Sequence, residues 1–423
     1  MKKIGVAILG FGTVGSGTYN ILTERREQIK VEYGVDITIK AILVRNVNKA
    51  ISNGAPSELV TNNLDDVISN PSINIVAECI GGIEPAKTYL IESLKAGKTI
   101  VTANKELFAK HWGELESYAE KTKAGLYFEA TCGGGIPVIR TLTQAMQANT
   151  ILQIKGIING TTNYILSRMS DEGASYDDVL KDAQALGFAE ADPTSDVEGY
   201  DASYKLAILS SLAFNRFLPV EHIYREGISN IQAEDIAIGK ELGFTIKLLA
   251  IAKLIDGKIE ARVHPCFLKN SHPLASVSGS FNAIFLVGDN VGDIMLYGRG
   301  AGSLPTGSAV VSDIVFAGRQ LAHARYSEIN DVIKKSEIIA DFTSDYYIRM
   351  TVLDVQGVLS QITSIFANNN VSITRMRQDA GEGIVSIIFV THKSNENNIK
   401  KAIDEINELS EVQAVNALIR VEK

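Results

Sequence analysis

Acidic and basic side chains crowd together near the middle of this 423-residue chain. Glu190, Asp192, Asp196, Glu198 and Asp201 fall in one short stretch that runs up to Lys205. Asp201 and Lys205 are four apart, so on a helix they share a face. The apolar stripe Ala202, Leu206, Leu209 and Ala213 runs beside them and sets Lys205 at the edge of a buried surface. Two readings stay open: an acidic loop closed by an i,i+4 salt bridge, or a cation-binding pocket beside a proton-donating lysine. A free lysine titrates near about 10.4, and burial or a second lysine lowers that value toward the range useful for acid–base work. A second lysine, Lys105, closes the sequence TANK (102–105), where it is either solvated or part of the same site. EATCGGGIP (129–137) carries three successive glycines, suited to close approach of backbone to a ligand or to a flexible corner.

A second chemical signal stands near the N-terminus. GFGTVG (10–15) follows an apolar run, 4–9, and precedes a helical pattern. In that context the three glycines do different things. Gly10 makes the tight turn, Gly12 lets backbone approach a pyrophosphate, and Gly15 lets helix and strand pack closely. Free N–H groups and the positive end of the helix dipole then meet the phosphates. The next strand ends at Val44-Arg45 with no carboxylate to take the ribose 2′-hydroxyl of NAD. Arg45 is either a surface residue or a partner for a 2′-phosphate, with Lys49 at hand. This favours NADP and leaves NAD open.

These residues need elements to position them. Apolar runs at 4–9, 37–44, 73–80, 99–102 and 126–129 alternate with helical stretches such as 86–96 and 106–122. That pattern predicts an α/β, doubly wound parallel sheet over 1–148. An α+β substrate or dimerisation domain is expected over 149–300. It has strands at 155–158, 259–263, 283–286 and 294–297, a helix from NGTTN to about 169, and a helix over 202–214. The glycine-rich stretch 298–307 is expected as a loop, and a helix over 308–325 as the part of 301–330 that packs back on the first domain. Residues 341–345 are a plausible hinge. Beyond them 346–423 has the order βαββαβ of a ferredoxin-like sandwich.

Bulk properties narrow the class. Net charge is −8, which gives no footprint for nucleic acid or an anionic membrane surface. Cys79, Cys132 and Cys266 lie far apart, which argues for a reducing compartment and against disulfides or a structural zinc site. The apolar run after Lys2-Lys3 is too short for a secretory signal, so the expectation is a cytoplasmic protein.

Five of these motifs in order, GFGTVG, TANK, EATCGGGIP, GIINGTTNYIL (156–166) and GFAEADPTSDVEGYDASYK (187–205), resemble the homoserine dehydrogenases, and AGSLPTGSAVVSDI (301–314) extends the likeness across roughly 1–330. The resemblance implies a Rossmann-like domain and reversible reduction of L-aspartate 4-semialdehyde to L-homoserine by NAD(P)H. It implies Lys205 as proton donor to the carbonyl oxygen and Lys105 as an assistant near cofactor and substrate. Glu190 and Asp201 would bind homoserine, supported by Asp196. Phe11, Thr13, Val14, Gly187 and Gly302 would touch the dinucleotide beside Gly10, Gly12 and Gly15. It also implies a structural sodium ion at Glu129 and the backbone carbonyls of Cys132, Gly134 and Ile136.

YIRMTVLDVQGVLSQITSIFANNNVSITRM (347–376) resembles the first half of an ACT domain, with Gln356 where that family's turn has proline. The resemblance implies either a threonine effector bound around 354–359 or a purely oligomerising module, in a homodimer or homotetramer. Two other readings remain: another amino-acid dehydrogenase of this fold, separated by a substrate panel, and a cofactor-bound regulatory protein without activity, against which Lys105, Glu190, Asp201 and Lys205 all speak.

Overall fold

Strand β1 (Lys2–Leu9) is buried from Ile4 to Leu9, as a strand covered on both faces must be. It lies at the centre of a parallel sheet with β2 (Val35–Leu43), β3 (Val60–Thr61), β4 (Ile75–Glu78), β5 (Thr99–Thr102) and β6 (Leu126–Tyr127). The computed structural model describes residues 2–320, 329, 331–378 and 383–422. The strand order is β3-β2-β1-β4-β5-β6, all parallel, the doubly wound arrangement expected. The order reverses between β1 and β4, so the carboxyl ends of those two strands open a crevice. The expected strand 126–129 stops at Tyr127, because Glu129 enters a 3₁₀ turn (Glu129–Thr131) and its carboxylate binds backbone N–H groups further on.

The remaining strands form one sheet. They are β7 (Ile151–Ile157), β8 (Tyr224–Arg225), β9 (Phe244–Ile255), β10 (Lys258–Lys269), β11 (Phe281–Gly288), β12 (Gly292–Arg299), β13 (Thr343–Leu353), β14 (Ile373–Gln378), β15 (Ile384–Thr391), β16 (Ser394–Asn395) and β17 (Val412–Glu422). The main path runs β12-β11-β7-β9-β10-β17-β13-β15-β14. β9 is not among the expected strands. It pairs antiparallel with β10 along its whole length across an Asp256-Gly257 turn in which both residues have positive φ, the geometry that an Asp-Gly pair favours.

The C-terminal unit has the βαββαβ order expected, with helices Val358–Asn368 and Glu396–Asn407 on β13, β14, β15 and β17. It is not hinged where the sequence suggests. Asp341 accepts the Asn395 side chain and the Asn397 N–H, β13 starts at Thr343, and Ser344 and Asp345 are buried. β17 also pairs in parallel with β10 over Cys266–Leu268 and Arg420–Glu422, so the sheet crosses from one unit into the other. The register is pinned by buried charge. Glu422 lies 3.1 Å from Lys155 and also pairs Arg262, while Arg420 pairs Glu396 and Glu226.

The expected loop 298–307 shrinks to residues 300–302: β12 reaches Arg299 and a helix already begins at Ser303. Pro305 falls in that helix's first turn, where no N–H is needed. The helix Ser303–Gln320 returns to the first sheet. A Cβ on Gly17 would stand 2.3 Å from the Ser303 carbonyl oxygen, and one on Gly307 2.9 Å from Gly17 backbone, so the two helices cross at bare backbone. Residues 321–325 of the expected helix lie outside the described residues.

Candidate active site

Helix Tyr200–Phe214 is almost wholly buried, and its first two turns deliver Asp201 and Lys205 to one place. Lys205 Nζ donates to Asp201 Oδ2 at 2.6 Å and to the Ile158 carbonyl at 2.8 Å. Lys105 starts the helix Lys105–Thr122 directly beyond the carboxyl end of β5, and its Nζ lies 3.0 Å from Asp201 Oδ1. One carboxylate, 3% exposed, thus separates two ammonium groups that come from different parts of the chain. Burial pushes the Asp201 carboxyl up, but Lys205 and Lys105 outweigh it and hold it well below the usual carboxylate range. For Lys105 the Asp201 charge raises the ammonium against the pull of burial. The Asp201 anion thus sits between the two cations.

Asp196 is drawn to the same spot by Asn159, which opens the helix expected after NGTTN but carries no site role in the sequence reading. Asn159 caps the helix Gly160–Glu172, its Oδ1 accepting the Thr162 N–H, and its Nδ2 donates to Asp196 at 2.7 Å and to Asp201 at 2.8 Å. The preference of asparagine for N-caps was the available signal. Burial, then the charge of Asp201, pushes the Asp196 carboxyl up. Glu190 is exposed on a loop whose Phe188 carbonyl accepts the Thr161 hydroxyl, and Gly187 (φ 76°) opens the same loop.

The glycine turn lies at the carboxyl end of β1. Gly10 has φ 92°, and a Cβ on Gly15 would stand 2.0 Å from the Gly10 carbonyl oxygen. Gly12 opens the helix Thr13–Glu24 with nothing within 4 Å of its missing side chain. These are the properties that a phosphate-binding turn requires. Thr13 is exposed and Val14 half-buried beside it. The Phe11 ring packs among Ile42, Ala50 and Ala55. Gly302 (φ 119°) adjoins Ser303, which touches Gly17, and Arg45 is exposed just beyond the end of β2.

The 132–136 loop crosses the linker before the helix Ser303–Gln320, where a Cβ on Gly134 would meet Gly300 backbone at 2.4 Å. Cys132 Sγ lies 3.7 Å from the Lys205 carbonyl oxygen, so the loop abuts the lysine helix. The Glu129 carboxylate is buried and accepts the N–H groups of Ile139 and Arg140, both at 2.9 Å. Burial and then the Asp313 charge push it up to about 8. Sequence reasoning also missed Glu78, buried at the end of β4, and the Arg140–Asp313 pair at 2.6 Å. All three cysteines are free thiols. Among the described residues no helix is long and apolar enough to cross a membrane, and no group of three or more His, Cys, Asp or Glu is placed to hold a metal ion.

A glycine turn at a sheet's switch point, with a lysine beyond the carboxyl end of the same sheet held against a buried carboxylate, defines the class of nicotinamide-dependent oxidoreductases. Family models narrow that class. The homoserine dehydrogenase NAD-binding domain matches residues 10–129, the homoserine dehydrogenase catalytic domain 137–315 and the ACT domain 346–411. A homoserine dehydrogenase of Bacillus subtilis is 41% identical over 428 residues, spanning 100% of this chain and 99% of that one. The crystal structure of one from Thiobacillus denitrificans has a TM-score of 0.94 at 42% identity, covering 100% and 99%. A hyperthermophilic archaeal homoserine dehydrogenase in complex with NADPH has a TM-score of 0.63 at 28% identity, covering 74% of this chain and 97% of that one. The chain belongs to the homoserine dehydrogenase family.

Proposed function

We propose that Lys205 gives the proton to the carbonyl oxygen when aspartate 4-semialdehyde is reduced, and takes it back when homoserine is oxidised. The supporting observation is the shared carboxylate: Asp201 fixes the Lys205 and Lys105 ammonium groups from opposite oxygens. An ammonium has three hydrogens, and Asp201 and Ile158 take two of those on Lys205, which leaves one for a substrate oxygen. The bound dinucleotide supplies or accepts the hydride. Lys105 assists at the cofactor side, while Asp196, Asp201 and Glu190 receive the ammonium end of the amino-acid substrate. Steady-state oxidation of homoserine with each cofactor, in the wild type and in Lys205→Met, tests the reading. Turnover that survives in the variant overturns it.

The dinucleotide lies along Gly10, Gly12, Thr13, Val14 and Gly15, against Gly302 and the Gly187 loop. NADP is the favoured form, on the exposed Arg45 and on the NADPH held by the archaeal relative. Replacing Arg45 with alanine raises KM for NADP+ about tenfold or more and leaves KM for NAD+ nearly unchanged, about the value of one charge-assisted contact.

A sodium ion at Glu129 and the carbonyls of Cys132, Gly134 and Ile136 suits a loop bent by positive φ at Gly133 and Gly134. Two of the four donors already have a partner, since Ile136 also accepts the Val138 N–H and Glu129 two others, but each oxygen keeps a lone pair. A thermal shift in NaCl over choline chloride, lost in Glu129→Gln, tests it. The division proposed is 1–148 with 301–330, 149–300 and 346–423, the first built on the parallel sheet and the other two sharing the second. The C-terminal unit is regulatory, with threonine as effector at the exposed turn 354–357, where Gly357 (φ 93°) precedes the helix Val358–Asn368. Inhibition by threonine in the same assay tests this against a purely oligomerising role. The working form is a cytoplasmic homodimer or homotetramer.

A further inference from the structure

β4 ends in a carboxylate that water does not reach. Glu78 is 0% exposed, and both of its oxygens are occupied. Oε1 accepts the N–H groups of Ile80 at 2.8 Å and Gly81 at 3.2 Å, and Oε2 accepts the Thr102 hydroxyl at 2.6 Å. The same Thr102 oxygen accepts the Asn104 N–H at 3.0 Å. Asn104 then caps the helix Lys105–Thr122, accepting the Leu107 N–H at 3.2 Å, and its Nδ2 donates to the Gly82 carbonyl at 2.6 Å. The Glu78 main chain joins in, its carbonyl accepting the Ala103 N–H at 3.1 Å. A single chain of bonds therefore runs from Glu78 through Thr102 to Asn104 and ends one residue before Lys105.

A buried carboxylate carries a heavy desolvation cost, and a well-packed apolar residue would hold a strand end at less expense. Burial raises its pKa, and the donors at Thr102, Ile80 and Gly81 oppose that. Short charge-assisted bonds fix direction as well as distance. The segment they fix is the turn 102–104, after which the Lys105 side chain reaches 3.0 Å from Asp201.

We propose that Glu78 is a positioning residue for Lys105: through Thr102 and Asn104 it sets where the Lys105 helix begins and so where that ammonium meets Asp201. The proposal rests on Lys105 belonging to the site. It is tested on the full-length enzyme with Glu78→Gln, Thr102→Val and Thr102→Ser, each made in the wild type and in a Lys105→Ala background. A small misplacement of a catalytic group costs up to about a hundredfold. Glu78→Gln and Thr102→Val should therefore lower kcat/KM between about tenfold and a hundredfold, and Thr102→Ser, which keeps the hydroxyl, should stay within about twofold. In the Lys105→Ala background both losses should shrink to less than about twofold, because the group being positioned is gone. Equal losses in the two backgrounds, or near-normal rates in both variants, overturn the proposal. If Lys105→Ala alone leaves kcat/KM unchanged, the assignment of Lys105 fails first and the proposal falls with it. Should Glu78→Gln not fold, Thr102→Val and Thr102→Ser carry the comparison alone.

Discussion

Asp201 accepts a proton-bearing group on each side, and that double duty makes it the most consequential carboxylate of the site. Replacing Lys205 with alanine should lower kcat about a hundredfold to ten-thousandfold, the range for losing a positioned acid–base group, as read by steady-state rates. Asp201→Asn should cost about 3 kcal/mol of stability, the low end for breaking a buried pair, because Lys105 is 41% exposed and stays partly solvated. The pH dependence has a defined sign. The folded carboxyl titrates below its unfolded value of about 3.9, so its contribution is complete above that pH and lost as pH falls through the lowered folded value. Urea midpoints of wild type and variant should differ by a constant amount from about pH 5 to 7 and converge below about pH 4. Much of this chemistry was legible beforehand, since Asp201 and Lys205 advertise themselves by helical spacing. Asn159 and Glu78 did not. The N-cap preference of asparagine marks Asn159 as a helix start, but nothing local says that its side chain reaches Asp196 and Asp201, nor that Glu78 reaches Thr102.

Among the elements, the crossing of helices Thr13–Glu24 and Ser303–Gln320 ties the cofactor turn to the far end of the catalytic region. Gly17→Ala would press a methyl against the Ser303 carbonyl. The variant should lose about 1–3 kcal/mol in chemical denaturation, as overpacked sites do. It should also raise KM for the dinucleotide several-fold while kcat changes less, because the strain falls on the phosphate helix and not on Lys205. The first sheet was legible in short apolar runs with little polar interruption, a local property. β9 was missed although Asp256-Gly257 marked its hairpin, because an apolar run such as KLLAIAKLI suits a helix as well as a strand. The loop expected over 298–307 failed for a related reason. Gly298 and Gly307 serve close packing against Ile136 and Gly17, and glycine in a sequence does not say whether it frees a turn or admits a neighbour.

At the scale of the molecule, three units were foreseeable and their fusion was not. The β10–β17 pairing joins strands more than a hundred residues apart, and only the folded chain reveals the match between Arg262, Lys155, Arg420 and their carboxylates. Arg420 is 1% exposed, so Arg420→Ala should destabilise by about 3–5 kcal/mol, whereas Arg420→Met made together with Glu396→Leu should recover most of that loss. A urea titration of the three proteins decides it. Because the ACT unit shares a sheet with the unit that carries Lys205, a single cooperative transition is expected for both.

That shared sheet also has a consequence in time. β10 ends at Lys269 and its outer partner begins only at Val412. At the usual pace of about 5–20 residues per second, a ribosome needs roughly 7–30 s to make the intervening chain. For that interval the growing polypeptide shows a bare edge bearing Cys266, Phe267 and Leu268, with Arg262 lacking its Glu422 counterpart. A chaperone that holds the nascent chain, or slow initiation that spaces ribosomes apart, would protect that edge from pairing with a neighbour's.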